Sequence, residues 1–561
     1  ANRVTGQEQR AETDERGKFV FPAVPVGAYD LKVSKAGFRE SEISEIRVLV
    51  GQRVSQVVKL ELGAISESIT VTEGEGALRE TTSNQLGTVI EPVSVQQLPL
   101  NGRNYLQLGY LSGAAQDAGS NSSNFTATQT GHADRTIAVA GIQQDLTGYL
   151  VNGVSVAGTR IGQLGLNVSV TAVDQFKVVQ GFVLPSLGPD PGVVNLATRS
   201  GGGAFHGEAF WFHRNSAMDA REFFETRRQP GPFLRNQFGG AASGPIWPGK
   251  AFFFANYEGY RQRLSAPLGG YSPTEAMFGG DFSALPAAVH DPLTFNEATG
   301  TRQPFAGNRI PDTRQNPMAR QLLEYYLPGS DLRQRPLNVI RQPKQTQTAN
   351  QGGIKVDVPL GPGGLLSGQY MEESSRVTVP NVYPLTGVYY DLRMHMGGLQ
   401  WTANISSGTV NVAQAGFTRP YLFYGGIGEP GLQDRLGLTG TADRDGVPSV
   451  SLTGFSGFGA PQSVIGNIDN NYQFQDTLTL LRGRHEIAVG AMIRYIRTVQ
   501  ESANWNARGT LLFSGAFTAQ TAPGAAGRVT TVAGTGSSFA DFLLGFPVNG
   551  TVTSMPRTHY R

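Results

Sequence analysis

"HEIAVGAMIRYIR", residues 485–497, alternates with a period of two. Ile487, Val489, Ala491, Ile493 and Tyr495 fall on one face, with Glu486 and Arg494 opposite. "LQWTANIS", residues 399–406, repeats the pattern: Leu399, Trp401, Ala403 and Ile405 oppose Gln400, Thr402, Asn404 and Ser406. "IKVDV", residues 354–358, does the same. A strand with one apolar face and one polar face fits two structures. One is a soluble sandwich with a solvated side; the other is a barrel wall with lipid outside and a wet lumen. Any single strand fits both.

The connections separate them. Strands are expected at 205–214, 233–244, 350–359, 365–374, 394–405, 409–419 and 470–481. The links between successive strands alternate: about 18 residues, then "PIWPGK", then about 85 (263–349), then "LGPGG". Next come about 19, "SSG", about 50 and "RGR". Short turns at one end and long loops at the other describe an outer-membrane barrel, with the short turns periplasmic. Length and composition agree. The 561 residues are 39% hydrophobic and 16% charged and include 72 glycines, a poor basis for a helical core. No run of 18 apolar residues exists, but a closed barrel also satisfies every backbone group in lipid. A net charge of +2 carries no nucleic-acid signal, and the absence of cysteine excludes disulfides and thiol chemistry.

Before the barrel lie two smaller units. Residues 1–62 read as a β-sandwich of short strands: "TDERGKFVF", "VPVGAYDLKV" and two alternating runs around Gly51. Residues 63–75 are a linker around one extended stretch. Residues 76–200 read as a compact α+β domain. It has two short helical turns, the second apolar at Tyr105, Leu106, Leu108 and Leu111, then strands in "RTIAVAG", "TGYLVNGVSV", "VDQFKVVQG" and "GVVNLATRS". Gly201, Gly202 and Gly203 mark the junction with the barrel and are expected to let the chain turn sharply. About ten strands are visible, enough for a backbone radius of roughly 10 Å. A domain of this size, with a radius of gyration near ~14 Å, does not fit inside. A 22-stranded barrel would hold it, so the 201–561 region is expected to be only the first part of the barrel, and the chain a fragment truncated at both ends.

"TDERGKFVFPAVPVGAYDLKVSKAGF" resembles the carboxypeptidase regulatory-like domain, which implies a transthyretin-like sandwich without catalysis. "LPLNGRNYLQLGYLSGA", "YLVNGVSV", "DQFKVVQG" and "GVVNLATRSGGGAFHGEAFWFHRNSAMDAREFF" resemble the Oar-like branch of TonB-dependent outer-membrane receptors, as does "GDFSALPAAVHDPLTF…PFAGNRIP". The resemblance covers nearly the whole chain. It implies a regulatory-like domain and a plug facing the periplasm, then a barrel in outer-membrane lipid. It also implies uptake driven by TonB with ExbB–ExbD. Asn101, Gly102, Arg103 and Asn104 of "LNGRN", with Asn152 and Gly153, become plug structural positions. Asn152 departs from the family, which usually has Asp there. "ESITVTE" (Glu67, Ser68, Ile69, Thr70, Val71, Thr72, Glu73) stands where such receptors hold an energy-coupling box. Its β-prone composition fits equally a linker strand that docks on a neighbouring domain.

The remaining motifs resolve to turns. "GPIWPGK" has Walker A spacing, but Ala251 stands where magnesium needs a hydroxyl. "GIGEPG" lies outside any strand–helix unit, and "GVSVA" lacks the last glycine of a nucleophile elbow. The seven histidines form no zinc motif, and Asp443 and Asp445 of "ADRDG" read as turn chemistry or a partial calcium loop. No catalytic constellation, metal site or cofactor site is expected. The expected function is TonB-dependent import of an extracellular ligand, whether small molecule, glycan or peptide. A structural or export barrel for adhesion or secretion is the alternative.

Overall fold

The computed structural model describes the chain apart from residues 5, 7, 16, 20, 22–23, 51–53, 64–67, 73–85, 118–136, 140, 144–145, 159–163, 182, 221–230, 407, 460–464, 483–484, 503–505, 525–527 and 554–561. In the N-terminal unit the expected turn forms: Gly17 N donates to Asp14 O, and Lys18 N to the Asp14 carboxylate. β1 (Gly27–Val33) and β2 (Glu40–Val48) pair antiparallel, and β3 (Ser68–Thr72) joins β2 in parallel. Among the described residues this three-stranded sheet is the unit's one sheet. The strand expected after Gly51 is not formed, since residues 54–61 carry no strand. Val57 and Leu62 there are exposed, and no second sheet of described residues covers that run.

The second unit follows the expected order more closely. Its strands are β4 (Leu86–Ile90), β5 (Ala115–Asp117), β6 (Ile137–Val139), β7 (Thr147–Val151), β8 (Val154–Ser155), β9 (Val173–Gln180) and β10 (Gly192–Thr198). Five of them form a mixed sheet in the order β4-β9-β10-β7-β8. β10 runs parallel to β7 and antiparallel to β9. β9 and β10 are buried almost throughout, the polar Gln175 and Lys177 of β9 included. β4 and β5 were not anticipated; "LGTVI" is too short to show a period. Both helical turns are present. Pro92 opens the helix Pro92–Gln97. The Asn104 side chain accepts from Leu106 N at 3.1 Å and caps the 3₁₀ helix Tyr105–Ser112. Tyr105, Leu106 and Leu108 are buried, but Leu111 is exposed where Gly113, at φ 67°, turns the chain away.

The third unit is an all-antiparallel sheet of nine strands among the described residues, not about ten. In order they are β11 (His206–Asn215), β12 (Phe233–Trp247) and β13 (Ala251–Ser265), then β16 (Lys344–Leu360), β17 (Gly364–Pro380), β18 (Gly387–Ser406) and β19 (Thr409–Gly426), and last β21 (Ile465–Arg482) and β22 (His485–Ser502). β14 (Leu268–Gly270) and β15 (Val339–Arg341) pair with each other between β13 and β16, and β20 (Ser449–Leu452) precedes β21. The sheet is not closed, because β11 and β22 are edges that do not pair. Strands reach 20 residues, longer than the alternation alone marked, since several continue past the apolar band. As a result the loop expected after residue 374 shrinks to 381–386. "PIWPGK" closes the β12–β13 turn. Ile487, Val489, Ile493, Tyr495, Leu399, Trp401 and Ile405 are exposed on the outward face, as the alternation requires.

The long loops do not dangle. Apolar side chains from 268–339, Val382, Tyr383, 432–458, Leu511, Phe513 and the helix Ser538–Leu544 share one apolar core. Tyr326 stacks on Phe458 at 4.5 Å, and Phe539 stacks on Phe542 at 5.7 Å. The expected helix near Met318 is present as Pro317–Leu322, running into a 3₁₀ turn at Leu323–Tyr325. Arg508 ties this cap to the wall, donating to Asp443, Ile427 O and Gly426 O. Asp445 accepts from Gly431 N. Both "ADRDG" carboxylates are therefore engaged in turn and ion-pair chemistry, and the described residues contain no metal-ligating cluster.

Candidate functional site

The second unit packs on the inward face of the nine-stranded sheet. Strand alternation sends Phe254, Met371, Met394 and Met396 inward, into the same core as Tyr149, Phe176 and Val194. Around that apolar contact runs a polar seam. Arg103, in the left-handed region at φ 55°, projects from "LNGRN" and lies 3.6 Å from Glu258 of β13. Its guanidinium sits 4.2 Å from the Phe210 ring centroid and 5.3 Å from that of Phe212. Glu258, only 3% exposed, also accepts from Ser169 Oγ. Gly102 O accepts from Gln237 Nε2 at 3.0 Å, and Asn101 Oδ1 from Arg235 Nη1 at 2.8 Å. Asn104 faces inward to cap its helix. The four "LNGRN" positions thus divide their work: three reach the wall and one holds the loop that carries them.

A second set of contacts continues the seam. Asn167 N donates to Glu373 Oε2 at 2.7 Å, and Asn167 Nδ2 to Gln351 Oε1 at 3.1 Å. Asn152, at φ 46°, donates from Nδ2 to Thr198 Oγ1 and to Gln369, and accepts from Thr198 N. An aspartate there could donate neither bond, so the departure at Asn152 suits its neighbours. Gln414 donates to Asn152 O, and Gln473 to Gly153 O. A Cβ on Gly153 would lie 2.8 Å from the Gln414 side chain, and its φ of 82° is already glycine's region. Toward β21 and β22 the fit loosens. A cavity of about 210 Å³ opens among Ser155, Asp190, Thr418, Asn471, Gln473 and Arg494. Burial pushes the Asp190 carboxyl up, with Arg494 opposing, and burial does the same to Asp174 against Gln175, Lys355 and Arg199.

The junction glycines have a different cause from the one expected. Gly201, Gly202 and Gly203 are not among the positive-φ residues. A Cβ on Gly201 would come within 2.3 Å of Phe253 O, and one on Gly202 within 2.6 Å of the Val4 side chain. Gly203 N donates to Val4 O at 3.0 Å. Close approach of neighbouring atoms, not a positive φ, calls for glycine at Gly201 and Gly202, while a Cβ on Gly203 would meet only an ordinary 3.7 Å contact with Val4 O. At "ESITVTE", Glu67 and Glu73 lie outside the described residues, and Ser68–Thr72 form β3 on β2. The backbone therefore shows a strand docked on a neighbouring domain. Sequence reasoning singled out Arg103 but missed its partner Glu258. The signal was there: in "AFFFANYEGY" the face of Phe252, Phe254 and Asn256 continues into a lone acid.

A nine-stranded antiparallel wall with lipid-type alternation, packed around a smaller domain, defines an outer-membrane β-barrel protein. Residues 197–561 match the family described as outer membrane beta barrel domain, and the chain belongs to that family. Residues 1–61 match the carboxypeptidase regulatory-like domain. The TonB-dependent transporter Oar of Myxococcus xanthus is 23% identical over 262 residues, covering 45% of this chain and 24% of that protein. The chain thus spans about a quarter of that relative's length. Among solved structures, the outer membrane transporter YddB from Escherichia coli shares 11% identity at a TM-score of 0.49, over 79% of this chain and 51% of that one. P. aeruginosa FpvA, solved with pyoverdines, shares 8% at 0.41, over 75% and 53%. Oar and YddB are both described as transporters.

Proposed function

We propose that the chain belongs to a receptor that imports an extracellular ligand through the outer membrane, energised by TonB with ExbB–ExbD. The second unit is the plug. The observation that carries this reading is the seam: around the apolar contact, the inner domain meets the wall through separate amide hydrogen bonds and the Arg103–Glu258 pair. Each such bond contributes about 1 kcal/mol net, so a mechanical pull can undo them in turn. The likeness to Oar supports the same reading. The short-turn end and the N-terminal unit face the periplasm, and the loop cap faces outward. "ESITVTE" is the coupling segment.

Proline at Val71 removes a donor and fixes φ. In the full-length receptor, Val71→Pro is expected to stop uptake of whichever solute the wild type depletes from a defined medium, while surface binding of that solute stays intact. Wild-type uptake by Val71→Pro would remove the coupling assignment.

A further inference from the structure

The outward face of the wall changes character at one level. Leu399, Trp401 and Ile405 mark that face on β18, and alternation carries it along the strand to Arg393. Register extends it across the sheet. Thr348 pairs with both Arg261 and Arg376, Arg376 with Asp391, Arg393 with Tyr421 and His395 with Arg419. On β22, Arg497 follows Ile493 and Tyr495 on the same face.

Strand ends give the level. Arg261 and Arg263 stand ten and twelve residues from Ala251, at the short-turn end of β13, and Arg376 stands twelve from Gly364. Arg393 stands thirteen from Ser406, Arg419 ten from Thr409 and Arg497 twelve from His485. A tilted barrel strand crosses the hydrocarbon in about 9–11 residues, so these six arginines lie where the lipid tails end, on the side of the cap. Nearer the turns, Tyr257, Tyr370, Tyr472 and Tyr495 are exposed on the same face, as an interfacial aromatic girdle is. From Ala251 to Gly259, Val358 to Asn350, Ile405 to Gly397, Thr409 to Phe417 and Ile487 to Tyr495, no outward position is charged.

The positive charge at this level is not neutralised within the protein. Arg376 and Arg393 share one acid, Asp391, at 2.8 and 3.7 Å, and their side chains remain 58% and 60% exposed. Arg261 donates to Ala349 O and to the Asn350 side chain. Arg263, Arg419 and Arg497 are exposed, and among the described residues no carboxylate pairs with them. Glu372, 3.8 Å from His395, is a further acid on this face. Guanidiniums held side by side repel one another unless an anion lies between them, and their planar donor fork matches phosphate.

We propose that these arginines form a binding surface for the anionic, phosphate-bearing headgroups of lipid in the leaflet on the side of the cap. Arg376, Arg393, Arg419 and Arg497 lie along β17 to β22 and grip the phosphates, while the tyrosines and the apolar band below receive the acyl chains. In the orientation proposed above this is the outer leaflet; the inference rests on that reading for the leaflet alone. The wall then selects its lipid by charge, and bound headgroups hold neighbouring strands together at the foot of the cap.

The probe is lipid A carrying two phosphates, titrated onto the purified full-length receptor in a neutral detergent and read by native mass spectrometry. Arg393→Gln with Arg419→Gln is expected to weaken binding about tenfold or more, with most of the difference removed by high salt. Arg320→Gln with Arg333→Gln, which takes the same charge from exposed positions of the cap, is expected to leave affinity unchanged. Arg393→Lys with Arg419→Lys keeps both charges and is expected to bind within about threefold of wild type. A loss with lysine as large as with glutamine would show that folding, not charge, had been disturbed, and would overturn the proposal. Equal affinity of the wild type and the glutamine pair would overturn it too, as would equal binding of lipid A stripped of its phosphates. Inorganic phosphate displacing the lipid at equal concentration would assign the arginines to free phosphate instead. Binding in detergent does not depend on which way the cap faces, so a cap found in the periplasm would remove the orientation and leave the lipid surface standing.

Discussion

Arg103 is the residue on which the seam turns. It is part-buried between Glu258 and two aromatic rings, and Glu258 has almost no access to water. Truncating one member of such a pair leaves the other charge stranded, at a cost of about 2–5 kcal/mol. Arg103→Ala is expected to lower the urea concentration at which the full-length receptor begins to conduct in a planar bilayer. Arg103→Ala with Glu258→Gln should recover part of the loss, because the stranded charge is gone. An opening curve identical to wild type for Arg103→Ala would show that the pair holds nothing. Arg103 could be picked out because "LNGRN" lies in a phrase that resembles the plug of TonB-dependent receptors. Its partner lies about 150 residues away in sequence, and only folding brings the two within 3.6 Å.

At the level of elements, the helix Ser538–Leu544 shows how loops become a domain. Every residue of "SFADFLL" is buried, and Ser537 caps its start by accepting from Ala540 N. Asp541 is buried, and among the described residues no counter-charge hydrogen-bonds to it. Its carboxylate accepts from Gly515 N, Phe517 N, Thr518 N and Thr518 Oγ1. Thr518 Oγ1 also reaches Ser537 O at 3.1 Å, but the buried N–H groups of Gly515 and Thr518 depend on the carboxylate. Asp541→Ala leaves them unpaired and is expected to destabilise the cap by about 3 kcal/mol or more. Limited proteolysis should then cut within 514–537 while the wall strands stay protected. Protection of that segment equal to wild type would mean that the carboxylate does not organise it. The helix was not legible in the sequence, because seven residues hold fewer than two full turns of pattern.

On the scale of the whole molecule, topology follows from one orientation. The turns at 248–250 and 361–363, with Ser406, Thr409, Arg482 and His485 at the facing ends of their strands, lie at one end of the sheet, and the cap lies at the other. If the N-terminal unit is periplasmic, the cap is extracellular. An epitope tag inserted at the exposed turn near Asn296 is then expected to be labelled on intact cells expressing the full-length receptor. Labelling only after permeabilisation would invert the molecule.

The alternation in "HEIAVGAMIRYIR" and "LQWTANIS" determined the wall by itself. Lipid on one side and protein or water on the other imposes a period of two on every strand, so each strand records its own environment locally. Three things were decided only in the tertiary structure. The cap gathers residues from four loops, and no local period reports a contact between Tyr326 and Phe458. Gly201 and Gly202 are needed because Phe253 and Val4 press against them, which a run of glycines cannot say. β3 chose β2 as its neighbour because a short β-prone segment beside an open sheet edge gains hydrogen bonds wherever the fold brings an edge within reach, and where that edge lies is a property of the assembled chain.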